Sequence, residues 1–428
     1  MEKFDLLVRN VIIPEKGEGY DVGVKDGKIV KIAKNIQGEA KEVILGNGKI
    51  IFPSFANVHT HIPMTLLRGL GADLPLMDWL QKVIWPLESE FVSPQFVRDG
   101  TLLGLVEAIK SGTTLFIDMY FFEEVVGEVC EEVGIRAGLG FGILDFPTKV
   151  AKTPEEYIKR ARKFVEDFKN REYVFPVICP HAPYTCSPRT LLMAKELADE
   201  YGLLLHIHVA ETKGEVERIK EEYGTTPILH LDSVGFLDKN VLCAHVVWTT
   251  EEEREILKEK EAKVAHCPES NLKLASGIAP ISDYIRRGIL VGIGTDGAAS
   301  NDNLNMHEET STCAKLHKGA NLDAKAIDAK TALRLATENG FKIAGIKAGR
   351  IEEGFEADFI LVNTNLPEFH PLYDPIAQFI YSASSECIDT VVCKGKVLME
   401  KRELKTIDEE EVYRKARDWR EKILSKLF

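Results

Sequence analysis

The chain reads as an α/β protein: a (β/α)8 barrel of the TIM type carrying a small β-sandwich domain formed from both termini. Three features predict this. Eight short apolar runs recur through the middle of the chain, and each of the first seven leads into a helix-like stretch. Both ends instead alternate apolar and polar residues between glycine-bearing turns. Strand–helix alternation calls for a parallel sheet covered by helices, and eight repeats close such a sheet into a barrel.

At the N-terminal end, residues 5–50 place turns at Gly17-Glu18-Gly19, Lys25-Asp26-Gly27 and Gly46-Asn47-Gly48, which predicts short antiparallel strands. Gly349 to Val362 and Thr390 to Met399 read the same way, with a hairpin turn at Lys394-Gly395-Lys396. The expected division is 1–53 with 349–428 as one composite β-sandwich domain ending in a helix, and 54–348 as the catalytic barrel. Barrel strands are expected at 50–59, 113–119, 135–143, 173–179, 202–209, 240–247, 262–267 and 290–295. Thr153 to Phe168, Pro188 to Tyr201 and Thr249 to Glu261 carry apolar residues at helical spacing between them.

Composition narrows the function classes. Hydrophobic residues make up 45% and charged residues 28%, enough for a sizeable core. A net charge of −13 argues against a broad nucleic-acid surface. The 8 cysteines stand singly with no Cys-x-x-Cys, which reads as reduced thiols in a cytoplasmic protein. Met1-Glu2-Lys3-Phe4-Asp5 has no apolar signal region, and no run of about 18 apolar residues predicts a membrane span.

Barrels of this kind carry their chemistry at the C-terminal ends of the strands. Strand one ends in His59-Thr60-His61, strand four in His181, and strand five in His206-Ile207-His208 followed by Glu211. Strands six, seven and eight end in His245, His266 and Asp296, with Asp302 beyond, so ten polar groups are expected on one rim. His59 and His61 lie two apart, so both imidazoles share a strand face. His208 adds a third nitrogen and Asp296 a hard oxygen. That set suits one divalent ion, Zn2+ first, with Fe2+ or Mn2+ as alternatives. A cation so held lowers the pKa of a bound water toward ~7. Glu211, three residues past His208, can reach such a site as a proton carrier, and His245 can hydrogen-bond the attacking oxygen. His206 sits deeper and reads as structural; His266 reads as support.

At this point the motifs match a known group. They are Pro53-Ser54-Phe55-Ala56-Asn57-Val58-His59-Thr60-His61, Leu67-Arg68-Gly69, Trp85-Pro86-Leu87-Glu88 and Pro180-His181-Ala182-Pro183-Tyr184. Further on stand His208-Val209-Ala210-Glu211-Thr212, Ser270-Asn271-Leu272-Lys273-Leu274, Gly294 to Asn301, and the tail Gly349 to Asp358. The chain resembles the amidohydrolase superfamily over nearly its full length. It is most similar to the branch of 5-methylthioadenosine/S-adenosylhomocysteine deaminases and chlorotriazine hydrolases.

The resemblance implies metal ligands His59, His61, His208 and Asp296, with Glu211 as proton shuttle and His245 as its helper. Asp296 would also take the remaining proton of the attacking water. Glu88 and His181, with Glu211, would contact the substrate. Strand four, Tyr173 to His181, has no lysine to bridge a second metal, which argues for one ion. The implied reaction is hydrolytic deamination of an adenine nucleoside: 5′-methylthioadenosine, 5′-deoxyadenosine, S-adenosylhomocysteine or adenosine. The alternative is a chlorotriazine or aminotriazine hydrolase, or a guanine or cytosine deaminase. The partner would be a small-molecule nucleoside, with a homo-oligomer expected by analogy. Relatives that take adenosylhomocysteine place arginines after strand three. Here the stretch Arg136 to Pro147 offers apolar residues in place of those arginines, and only Arg136 remains, at the strand's start, which fits a small apolar 5′ group better.

Overall fold

The computed structural model describes residues 2–427. Barrel strands one to eight are Phe55–Thr60, Thr113–Tyr120, Arg136–Ile143, Val174–Pro176 with Cys179–Pro180, Leu205–Val209, Val241–His245, Lys263–His266 and Val291–Ile293. Neighbours pair in parallel from one to four and from five to eight. A parallel bridge at Ile178–Leu205 joins the two halves. There His206 N donates to Ile178 O at 2.9 Å and His208 N to His181 O at 3.0 Å. The ring closes between strands eight and one, where Asp296 N donates to His59 O at 2.9 Å. Asn57 fastens the same seam: Thr295 N donates to its Oδ1 at 3.1 Å, and its amide donates to the Thr295 hydroxyl at 2.7 Å. Strands one, two and three are buried at every residue, as a sheet covered on both faces requires.

The apolar run 50–59 divides at Ser54. Lys49–Pro53 pairs antiparallel with Phe359–Asn363, and Phe55–Thr60 enters the barrel. Both pieces are apolar because both are buried, so periodicity cannot show the break. In the terminal sheet, Glu2–Ile13 pairs antiparallel with Gly17–Lys25 but parallel with Gly38–Leu45, where antiparallel strands alone were expected. Either pairing gives the same side-chain alternation. Ile388–Cys393 and Lys396–Glu400 extend the sheet, so strands from both ends of the chain share it. The expected hairpin is a two-residue turn: Lys394 and Gly395 have φ of 49° and 79°, the left-handed pair that matches strand twist.

The helices start where their caps stand. Thr153 accepts from Glu156 N ahead of Pro154–Phe168, and Ser187 accepts from Thr190 N ahead of Pro188–Tyr201. Thr250 and Glu253 form a reciprocal capping box ahead of Glu251–Glu259. The C-terminal helix, Glu409–Leu427, lies on Pro94–Lys110; Trp419 donates to Asp99 at 2.9 Å and meets Phe96 edge-on at 5.2 Å. Among the described residues, no helix is long and apolar enough to cross a membrane.

Arg136 has a structural task. Its guanidinium forks onto Asp358 with two 3.0 Å bonds and reaches Glu356 at 2.8 Å, clamping the base of strand three to the segment that enters the terminal sheet. Asp358 is fully buried. Arg136→Ala should therefore lower unfolding free energy by about 3–5 kcal/mol, because it leaves that buried carboxylate without its cationic partner, with only the Lys394 N–H at 3.3 Å. Denaturant titration measures this, and a loss near zero would contradict the clamp.

Candidate active site

Three imidazoles and one carboxylate meet where strands one, five and eight end. His61 Nε2 lies 3.3 Å from His208 Nε2 and 3.2 Å from Asp296 Oδ1; His59 Nε2 lies 3.3 Å from the same oxygen. Four ligands at ~2.0–2.1 Å from one tetrahedral zinc stand about 3.3–3.4 Å apart, so the spacing fits a shared cation. The outer ring nitrogens fix the tautomers. His61 Nδ1 donates to Met119 O at 2.5 Å and His208 Nδ1 to His181 O at 2.8 Å, which leaves both Nε2 lone pairs facing inward. His59 Nδ1 meets His206 Nε2 at 2.9 Å, while its own buried Nε2 has no hydrogen-bond partner. An orphaned, buried imidazole nitrogen aimed at this group is what a ligand position requires. Burial holds His59 at about 4 and His208 well below the usual range, so both are neutral donors. Burial opposes charge on His61 as well, but its contact with Asp296 raises it to about 9; a cation there takes over the charge that faces this carboxylate.

Backbone shape delivers these groups. Ala210, His245, Val246 and Asp296 all adopt positive φ, between 47° and 73°, just where strands five, six and eight give way to loops. Such bends in residues other than glycine cost about 1–3 kcal/mol each and gather at sites of function. Gly294 lets strand eight approach strand one, since a Cβ there would stand 2.7 Å from His59 N. Asp296 is further held by Ser270 and Ser300, whose hydroxyls donate to Oδ2 at 2.7 and 2.9 Å.

Glu211 stands beside this group. Its carboxyl is buried, which pushes its pKa upward, while His245, at 3.7 Å, pulls it down. Glu215 turns back under the loop and accepts from Ala210 N at 2.8 Å and Glu211 N at 2.9 Å, fixing the backbone that presents it. His245 Nδ1 donates to Asn271 Oδ1 at 2.9 Å, so its Nε2 faces Glu211 and is free to take or share a proton.

A cavity of about 490 Å³ opens over the donors, lined by His61, His208, Glu211, His245 and Asp296 at one part of its wall. Glu88 and His181 line it too. Enclosure raises Glu88 to about 7, against the hydrogen bond from Tyr120 at 2.8 Å, which lowers it. The Thr185 hydroxyl donates to Ala182 O at 3.2 Å, so His181 Nδ1 donates to Thr185 at 2.9 Å and its Nε2 remains an acceptor. Burial keeps His181 neutral, near 3. Trp79, Leu80, Ile84 and Trp85 add an apolar wall from Leu76–Phe91, helical with a π turn at Leu80–Ile84.

Every residue singled out for metal, proton transfer or substrate thus reaches one site, but the rim of ten does not hold. His206 lies beneath His59, His266 turns outward onto His317, and Asp302 pairs with Lys273. Strand ends bend at their last residues, so spacing cannot fix which way each side chain leaves. Sequence reading also missed Tyr120, Asn271 and Lys149. Ser270-Asn271 was visible as a motif without a role; nothing local marked the other two.

A closed parallel barrel with an imidazole–carboxylate donor group at its C-terminal mouth defines a metal-binding barrel hydrolase. A model of the amidohydrolase family matches residues 50–398, and the chain belongs to that family. It is 80% identical over 427 residues to a 5-methylthioadenosine/S-adenosylhomocysteine deaminase of Aquifex aeolicus, covering 100% of this chain and 99% of the relative. It is 42% identical to a 5′-deoxyadenosine deaminase of Methanocaldococcus jannaschii, over 96% of this chain and 98% of the relative. An adenosine deaminase structure from Xanthomonas campestris with bound zinc superposes at TM-score 0.96 and 37% identity, over 99% of both chains.

Proposed function

We propose that this chain hydrolyses the 6-amino group of an adenine nucleoside, giving the inosine analogue and ammonia. One observation carries the reading. A single cavity presents three of the four donors, His61, His208 and Asp296, with His59 against Asp296 behind them, beside a buried, protonatable Glu211, and it also presents Glu88, a carboxylate able to accept from ribose hydroxyls. The relatives' names agree with it. His59, His61, His208 and Asp296 would hold one divalent cation, and zinc is proposed because the Xanthomonas campestris structure binds it. When bound, the cation supplies a water nucleophilic at neutral pH.

The remaining steps fall to side chains. Glu211 donates a proton to the ring nitrogen beside C6, which makes that carbon more electrophilic. Asp296 takes the proton left on the attacking water. His245, its Nδ1–H committed to Asn271, stabilises charge at the attacking oxygen through Nε2. Asp296 passes the proton it took to the 6-amino nitrogen, the C6–N bond breaks, and ammonia leaves. Glu88 positions the ribose, and His181 Nε2 accepts from the substrate. Glu88→Ala should raise KM for nucleosides by ~10–100-fold, the worth of hydrogen bonds to a charged group, and leave kcat/KM for free adenine unchanged. An equal loss on adenine would contradict ribose binding.

Gly142, Leu144, Phe146 and Pro147 line the part of the cavity assigned to the 5′ end. Lys149 also lines the cavity, but its ammonium donates to Glu90 O and Val92 O, both at 3.0 Å. A charged amino-acid tail finds few free partners there, so a methylthio or deoxy 5′ group is favoured. Ammonia release from a panel of nucleosides tests the reading. 5′-Deoxyadenosine or methylthioadenosine should exceed adenosylhomocysteine in kcat/KM by about tenfold or more. A strong preference for adenosylhomocysteine would overturn the 5′ assignment, and chloride release from a triazine without nucleoside turnover would overturn the reaction.

A further inference from the structure

We propose a second cation site, formed by His266, Cys313 and His317, that takes a borderline-to-soft transition-metal ion such as Zn2+ or Co2+. It shares no residue with the donor group described above, and its nitrogen and sulfur atoms all lie within 4.8 Å of one another. His266 ends strand seven; Cys313 and His317 stand one turn apart on the helix Met306–Asn321, so both face the same way. The two imidazoles meet Nε2 to Nε2 at 2.9 Å, with ring planes tilted by 50°.

That contact by itself is a shared proton. Three further observations point to a cation. All three side chains are essentially inaccessible, at 0%, 0% and 1%. None lines the catalytic cavity, so the proposed reaction does not use them. His266 Nδ1 is buried without a partner, so it is free to carry the ring proton that a cation at Nε2 displaces. Burial keeps His266 well below the usual imidazole range and His317 at about 4, so both offer lone pairs.

Two imidazoles and a thiolate form a soft set that Mg2+ and Ca2+ avoid and Zn2+ or Co2+ accept. Binding forms one metal–sulfur and two metal–nitrogen bonds. The Cys313 S–H proton leaves to solvent, and the proton shared between the rings moves to His266 Nδ1. Because binding releases the thiol proton, loading strengthens as pH rises. The ion would tie an outer helix to strand seven. Immediately after His266 comes the helix Pro268–Lys273, whose Ser270 and Asn271 hold Asp296 and His245.

Cobalt distinguishes this site, because the catalytic donors include no sulfur. Metal-stripped full-length protein is titrated with CoCl2 and followed by near-ultraviolet absorption and thermal melting. The expected result is a sulfur-to-cobalt charge-transfer band developing with a second bound equivalent, with a rise in Tm over the same range. Cys313→Ser should abolish the band and the second rise while keeping the deaminase activity of the first equivalent. His317→Gln provides the same comparison if the serine variant does not fold. Absence of the band from saturated wild-type protein, or its persistence in the folded variants, would overturn the proposal.

Discussion

Glu211→Gln should lower kcat by ~10²–10⁴-fold while leaving metal content unchanged, the loss typical of a missing general acid. The substitution keeps the size of the side chain and the backbone held by Glu215, but an amide neither gives nor receives the catalytic proton. Burial raises the wild-type carboxyl above the ordinary glutamate range, so it stays protonated to a higher pH than a solvated one. The acid form is therefore present below that raised pKa and is lost as pH rises through it. Wild-type kcat should show a descending alkaline limb that the variant lacks. Metal analysis beside steady-state rates checks both points, and an active glutamine variant would remove Glu211 from the mechanism.

His61→Ala has the other large effect and a different signature. The variant loses the Nε2 that stands 3.3 Å from His208 and 3.2 Å from Asp296. Metal occupancy and rate should fall together, the rate by ~10³-fold or more if the cation contributes several kcal/mol. Excess zinc should restore part of both. Chelation of the wild type should reproduce the loss, and zinc should reverse it. Unchanged metal content with full activity in His61→Ala would show that the imidazole is not a ligand. The two substitutions separate the roles: one removes rate at constant metal, the other removes both.

How much of this was legible follows from the length scale of each feature. The two-residue period put His59 and His61 on one face, and the short step from His208 to Glu211 placed donor and acid on the same strand end. Both are local. The break at Ser54 was hidden because its flanks are buried in two different sheets. The outward turn of His266 depends on a helix that lies 51 residues away at His317. Tyr120, which supports Glu88 across 32 residues, follows from how the Leu76–Phe91 segment folds over the barrel mouth. Local spacing records none of these tertiary decisions. Motif resemblance supplied Glu88, which strand spacing does not mark, and gave a substrate role to His181, which spacing placed on the rim without one.

The most direct test follows deamination of 5′-deoxyadenosine while metal-stripped protein is reloaded with zinc, with occupancy of the His59–His61–His208–Asp296 group read by anomalous scattering. Turnover should be absent from the stripped protein and rise in proportion to occupancy there. Turnover without metal, or a filled group that leaves every adenine nucleoside intact, would contradict the account.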